Sequence, residues 1–201
     1  MKILPRGLDT ELFHPARKDS AFFEKFGAAN GEVRLLYVGR ISREKDLDLL
    51  ADAYRRLRKE GLPVRLFVVG HGPYSEALAK SLPDAFFTGY LRGTELAAAY
   101  ASADIFVFPS TTDTFGNVIL EAQASGLPVV VSDSGGPKEL VAHKANGLIT
   151  RSHNVEDFTD AIRVLVTNQT LRERMANSAR DSVTDRSWPR AFAKFWATTE
   201  V

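Results

Sequence analysis

Ser110-Thr-Thr-Asp-Thr-Phe-Gly-Asn-Val-Ile-Leu-Glu-Ala-Gln-Ala-Ser-Gly-Leu-Pro-Val129 is the stretch that decides the fold of this chain. The run before it, Asp104-Ile-Phe-Val-Phe-Pro109, is apolar and closes on a proline, the pattern of a buried strand reaching its end. Pro128-Val-Val-Val-Ser132 reads as the next strand. Between them, Phe115-Gly116-Asn117 forms a turn that opens a helix, with Leu120, Ala122 and Ala124 as core positions. Strand, turn, helix and strand in about thirty residues make one βαβ unit. In such units ligands gather at the carboxyl ends of the strands, where helix N-termini direct N–H groups at an anion. Asp113 precedes the helix and Glu121 falls in about its second turn. One carboxylate is therefore expected at the crevice mouth and the other just behind it.

The same alternation extends in both directions. Val33–Val38, Arg65–Val69 and Ala85–Thr88 read as strands, each followed by glycine: Gly39, Gly70 and Gly89. Asp46–Glu60 carries Leu47, Leu50, Ala53, Tyr54 and Leu57 at helical spacing, and Ser75–Ser81 reads as a short helix. Thr94 is the expected N-cap of a helix through Ala101. Asn146–Ile149 reads as a short extended piece. Asn154 is the expected cap of a helix over 155–166, a further helix runs from Leu171 to about Val183, and a last amphipathic one reaches Ala197 with Phe192 and Trp196 on one side. Residues 1–31 are turn-rich and aperiodic, an entry segment in which Arg6–Pro15 reads as a loop outside the core. Strands alternating with helices predict one α/β domain over 1–201, a doubly wound, mostly parallel Rossmann-like sheet with helices on both faces.

Composition narrows the function classes. The chain has 201 residues, 44% hydrophobic and 25% charged, with a formal net charge of +1. So small a charge provides no global field for nucleic acid or anionic lipid, so any phosphate-binding charge is local. There is no cysteine, which removes disulfides and thiolate metal sites and fits a cytoplasmic protein. No run approaches the length of a spanning helix. His14, His143 and His153 show no ligand spacing, so no metal is expected.

The chemistry-bearing residues sit at strand ends. Arg40 and Lys45, in Gly39-Arg-Ile-Ser-Arg-Glu-Lys-Asp46, are predicted to converge on the crevice of Asp113 and Glu121, because both loops leave the same edge of a parallel sheet. A planar guanidinium and an ammonium together neutralise a diphosphate. Thr114, Phe115, Gly116, Asn117 and Val118 supply backbone N–H groups, and Gly116 allows close approach. Carboxylates accept bidentate hydrogen bonds from diols. Gly70 and Gly72, in Gly70-His71-Gly72-Pro73, are read as a backbone wall against a ligand. Gly89-Tyr90-Leu91 ends the third strand and resembles the nucleobase-facing segment of nucleotide-sugar enzymes, with Tyr90 or Leu91 lining the base. The third glycine of a dinucleotide fingerprint is replaced by Ser75 after the wrong strand, which argues against a dehydrogenase. A phosphate-binding α/β domain of another kind stays open.

Asp113, Gly116 and Glu121 in this setting resemble the Glu-x7-Glu element of retaining GT-B glycosyltransferases of family four, with Asp113 in place of the first Glu. Gly39-Arg40 with Lys45 resembles the family's Gly-Arg…Lys-Gly element, with Asp46 where the family usually has Gly. Gly70–Pro73 is similar to its Gly-Asp/Glu-Gly-Pro turn, and Ser132–Glu139 to its Gly-Gly-x-x-Glu turn. The resemblance runs from Arg6-Gly-Leu-Asp-Thr-Glu-Leu-Phe-His-Pro15 to Ser187-Trp188 and covers the C-terminal, donor-binding half of such enzymes. It implies a UDP- or GDP-sugar donor, retaining hexosyl transfer without metal or cofactor, and an N-terminal acceptor-binding domain not present here, through which alone membrane association would arise. It assigns Glu121 to the ribose diol, Asp113 to sugar hydroxyls, and Arg40 and Lys45 to the diphosphate. A module that binds the nucleotide sugar without transferring it is the alternative.

Overall fold

The computed structural model describes residues 7–27, 29 and 31–189. Six strands form one sheet: β1 (Val33–Val38), β2 (Val64–Val69), β3 (Phe86–Gly89), β4 (Ile105–Phe108), β5 (Val129–Ser132) and β6 (Gly147–Thr150). Their spatial order is β3-β2-β1-β4-β5-β6. Every pair is parallel, and β1 and β2 run in step from Val33 opposite Val64 to Val38 opposite Val69. Strands covered on both faces read as continuous apolar runs, which is how β1, β2, β4 and β5 are written and why their side chains are almost wholly buried. The chain winds outward from β1 to β3 and then from β4 to β6. The order therefore reverses between β1 and β4, where a parallel sheet leaves a crevice at its carboxyl edge.

The helices are α1 (Leu47–Lys59), α2 (Ser75–Ser81), α3 (Gly93–Ser102), α4 (Asn117–Ala124), α5 (Val155–Thr167) and α6 (Gln169–Asp181). On one face α1 packs with α2 and α5; on the other α4 packs with α3 and α6. The buried stripe of α1 includes Leu47, Leu50, Tyr54 and Leu57. Asn154 caps α5 as expected, its side chain accepting the Asp157 N–H at 2.9 Å. Asn168 does the same for α6 through the Leu171 N–H, so that helix begins ahead of its apolar stripe. Thr94 is not a cap: α3 begins at Gly93, and Arg92, extended at φ −141°, precedes it.

The entry-loop reading of the first residues needs correction. Phe13, Phe22 and Phe23 are buried in the core, and the Phe23 ring lies 4.0 Å from that of Phe67 on β2. The segment lacks periodicity because its ordered pieces are two single 3₁₀ turns, Pro15–Arg17 and Glu24–Phe26. Leu8 donates its N–H to the Arg186 carbonyl at 2.8 Å. Arg180 donates to the carbonyls of Thr10, Phe13 and Ala124, clamping α6 to the end of α4 and to this segment. The expected last helix around Phe192 and Trp196 lies outside the described residues, as does Arg6. Among the described residues no helix is long and apolar enough to cross a membrane.

Candidate functional site

The crevice at the β1–β4 reversal is enclosed by the loop after β1, residues 39–46, and the loop after β4, residues 109–116. Three consecutive residues zip the loops together. Thr111 Oγ1 donates to Asp46 Oδ2 at 2.8 Å, Thr112 Oγ1 donates to the Glu44 carbonyl at 3.1 Å, and Lys45 Nζ lies 2.9 Å from Asp113 Oδ2. They enclose a hollow of about 300 Å³ bordered by Gly39, Arg40, Lys45, Asp113 and Gly116. Thr114, Phe115, Asn117 and Val118 complete its wall, and Tyr37 and Phe108 line it from the strands beneath. Arg40 and Lys45 thus stand on the same rim as the Asp113–Asn117 loop.

Backbone chemistry explains the shape. Asp46 closes a 3₁₀ turn over Arg43–Lys45 at φ 52°, in the left-handed region that glycine favours and aspartate tolerates. The Asp46 carboxylate at this turn holds Thr111. Gly116 sits at φ +86°, and a Cβ on it would stand 3.1 Å from the Pro137 ring. No side chain caps α4 at this position. The aligned peptide dipoles make such an end attract an anion, with the Ile119 N–H already turned onto the Gly116 carbonyl at 2.9 Å. The loop after β5 braces the turn from behind, with Gly136 N–H donating to the Asp113 carbonyl at 2.8 Å.

Beneath Arg40, the Tyr37 hydroxyl donates to the Arg40 carbonyl at 3.0 Å. Burial pushes the Tyr37 phenol far up, and the charges of Asp113 and Glu44 push it the same way. It stays a neutral donor and holds the loop backbone. The Tyr37 and Phe108 rings stack at 5.8 Å.

Glu121 opens onto a second hollow of about 440 Å³, which shares Asn117 with the first and has Asp9, Phe13, Leu120 and Trp188 among its walls. Burial pushes the Glu121 carboxyl up, while the Tyr100 hydroxyl, donating to Oε2 at 2.9 Å, pulls it down; the balance is upward. The site is thus bipartite, cationic and anionic groups facing one hollow, a desolvated carboxylate the other, with the start of α4 between them.

Gly70 and Gly72 border neither hollow. A Cβ on Gly70 would lie 1.9 Å from the Gly39 carbonyl oxygen, and one on Gly72 would lie 2.1 Å from that of Ile41. Their lack of side chains lets the β2 loop press against the β1 loop, which corrects the reading of a wall facing a ligand. Tyr90 is 68% exposed at the end of β3, its ring 6.0 Å from that of His71, and Leu91 packs half-buried against the core. Neither borders either of these two hollows. Arg43 is exposed, its guanidinium lying over the Tyr74 ring at 4.5 Å and 3.6 Å from Asp48. Among the described residues no group of three or more His, Cys, Asp or Glu side chains gathers as metal ligands.

Sequence reasoning passed over Tyr37 and Tyr100. The signal was there: each is a tyrosine in an apolar run, and a buried phenol seeks a polar partner.

Residues 18–182 match the family model described as glycosyl transferases group 1. The chain belongs to that family. This group 1 chain is 34% identical over 183 residues to the GDP-mannose-dependent alpha-mannosyltransferase of Corynebacterium glutamicum, an alignment covering 91% of this chain and 43% of that protein. The chain therefore spans less than half the length of that relative. Its fold matches Anabaena Alr3699/HepE in complex with UDP at a TM-score of 0.86 and 23% identity, covering 98% of this chain and 57% of the other. It also matches the C-terminal domain of the group 1 protein LpcC from Francisella tularensis at a TM-score of 0.78 and 23% identity, covering 90% and 98% of the two chains. The architecture of this group 1 chain is that of the C-terminal half of a GT-B glycosyltransferase.

Proposed function

We propose that this chain is the donor-binding domain of a retaining, metal-independent hexosyltransferase, which takes a UDP- or GDP-sugar and works with an acceptor-binding N-terminal domain of the same enzyme. The observation that carries the reading is the gathering of Arg40, Lys45 and Asp113 around the uncapped start of α4, with Glu121 in the adjoining hollow. A diphosphate at the start of α4 meets the two cations and the first-turn N–H groups. The sugar then extends over Asp113 and the ribose toward Glu121. Charge grows on the leaving diphosphate as the glycosidic bond stretches, and donors already in place stabilise it without reorganising. The acceptor's proton leaves to the departing phosphate. The C. glutamicum relative is named for GDP-mannose and the Anabaena neighbour is described with UDP, so both bases are kept as candidates.

Titration calorimetry tests the reading. Arg40→Ala and Lys45→Ala are expected to weaken UDP or GDP by about 1–3 kcal/mol, the range for losing a charge-assisted hydrogen bond, and to leave uridine and guanosine unchanged. Diphosphates binding both variants like the parent would remove the assigned phosphate site. Saturable binding without release of free sugar from the donor favours a module that binds only; slow release shows residual chemistry.

A further inference from the structure

Glu121 is held by a residue from a different helix. Tyr100, on α3, is fully buried, its ring held edge-on by Phe13, with centroids 5.6 Å apart at 85°, and at a tilt of 42° by Phe106, also at 5.6 Å. Its hydroxyl donates to Glu121 Oε2 at 2.9 Å. A phenol gripped on two sides has one direction in which to donate, so it selects one orientation of the carboxylate. One oxygen is engaged at Tyr100, and the other is the acceptor left for a ligand in the hollow that Glu121 shares with Asn117. The chemistry that matches a single aimed carboxylate is a vicinal diol, whose two hydroxyls donate to it in a fixed direction.

We propose that Tyr100 is a positioning residue that aims Glu121 at the 2′,3′-diol of the bound nucleotide, making the domain selective for ribose over sugars that lack these hydroxyls. This rests on the donor-site reading above. The aim comes from the α3–α4 contact, not from the loops that hold the diphosphate. Selectivity at the ribose is therefore separable from affinity for phosphate. The hydrogen bond also favours the ionised carboxylate, the better acceptor, against the burial that disfavours it.

The test is titration calorimetry with UDP and GDP beside their 2′,3′-dideoxy forms, on the parent, Tyr100→Phe, Glu121→Gln and the double variant. The parent is expected to prefer the ribose forms by roughly tenfold or more. Tyr100→Phe, which removes one oxygen and keeps the ring, is expected to lose roughly fivefold in affinity for the ribose forms and nothing for the dideoxy forms. In the Glu121→Gln background the same change is expected to have no further effect. A parent that binds ribose and dideoxy forms alike overturns the assignment of Glu121 and this inference with it, while the phosphate site is judged by the Arg40 and Lys45 variants. Clear selectivity that survives Tyr100→Phe overturns this inference alone. Equal losses for both ligand forms, alongside a lowered melting temperature, make Tyr100 a packing residue and overturn it too.

Discussion

Gly70 shows how strongly a single residue is constrained near the crevice. At φ +130°, with the Gly39 carbonyl where a Cβ would stand, Gly70→Ala forces strain and overlap together. Its expected cost in urea unfolding is about 2–4 kcal/mol. Gly61, at φ +77° with nothing near its missing Cβ, is the control, with an expected cost of about 1–2 kcal/mol. Glu121 carries the opposite kind of tension. Burial raises its folded-state value, so its stabilising contribution is present at low pH and lost as the pH rises through that value. Above that value the charge opposes folding. Glu121→Gln should therefore raise the melting temperature of the free protein while weakening nucleoside-diphosphate binding; a lowered melting temperature would show that the charge is not desolvated. The meeting of Arg40, Lys45 and Asp113 was legible in the chain because loops leaving one edge of a parallel sheet must meet; that Glu121, on α4, opens onto a separate hollow was not. The part played by Gly70 and Gly72 was not, since a glycine in a turn looks the same whether it faces a ligand or another backbone.

At the scale of elements, the Arg180 side chain ties α6 both to α4 and to the first residues of the domain. Arg180 serves carbonyls at Thr10, Phe13 and Ala124, the last at the end of α4. Arg180→Ala leaves those acceptors without their charged donor, and an unfolding cost of about 1–3 kcal/mol is expected in denaturant titration. Asn154→Ala, which removes the α5 cap, is expected to cost about 1 kcal/mol by the same measurement. The strands and the long helices were legible from apolar runs and 3.6-residue spacing, and Asn154 from cap chemistry. The start of α6 was hidden because Gln169 and Thr170 precede its apolar stripe. The burial of Phe13, Phe22 and Phe23 was hidden because irregular chain carries no period, whatever it buries.

For the whole molecule, acid stability and ligand binding report on different regions. Glu32, just ahead of β1, is pushed up by burial, but hydrogen bonds from Arg65 and the Ala29 N–H, with the charges of Arg65 and Arg58, bring it below its ordinary value. Its nearest contact to Arg65 is 2.7 Å. A carboxyl with a lowered folded-state value contributes stability above its unfolded value, 4.5, and loses it as the pH falls through the folded value. Melting temperature should therefore drop below about pH 4.5, and Glu32→Gln should flatten that acid limb, with the crevice far from the change. The most direct test of the central claim, that the β1–β4 crevice is a nucleoside-diphosphate site, is the map of backbone amide shifts as UDP or GDP is titrated into the protein. The largest changes are expected at Gly39–Lys45 and Thr114–Glu121, on both sides of the start of α4. Saturable binding whose shifts cluster away from those two segments would contradict that claim.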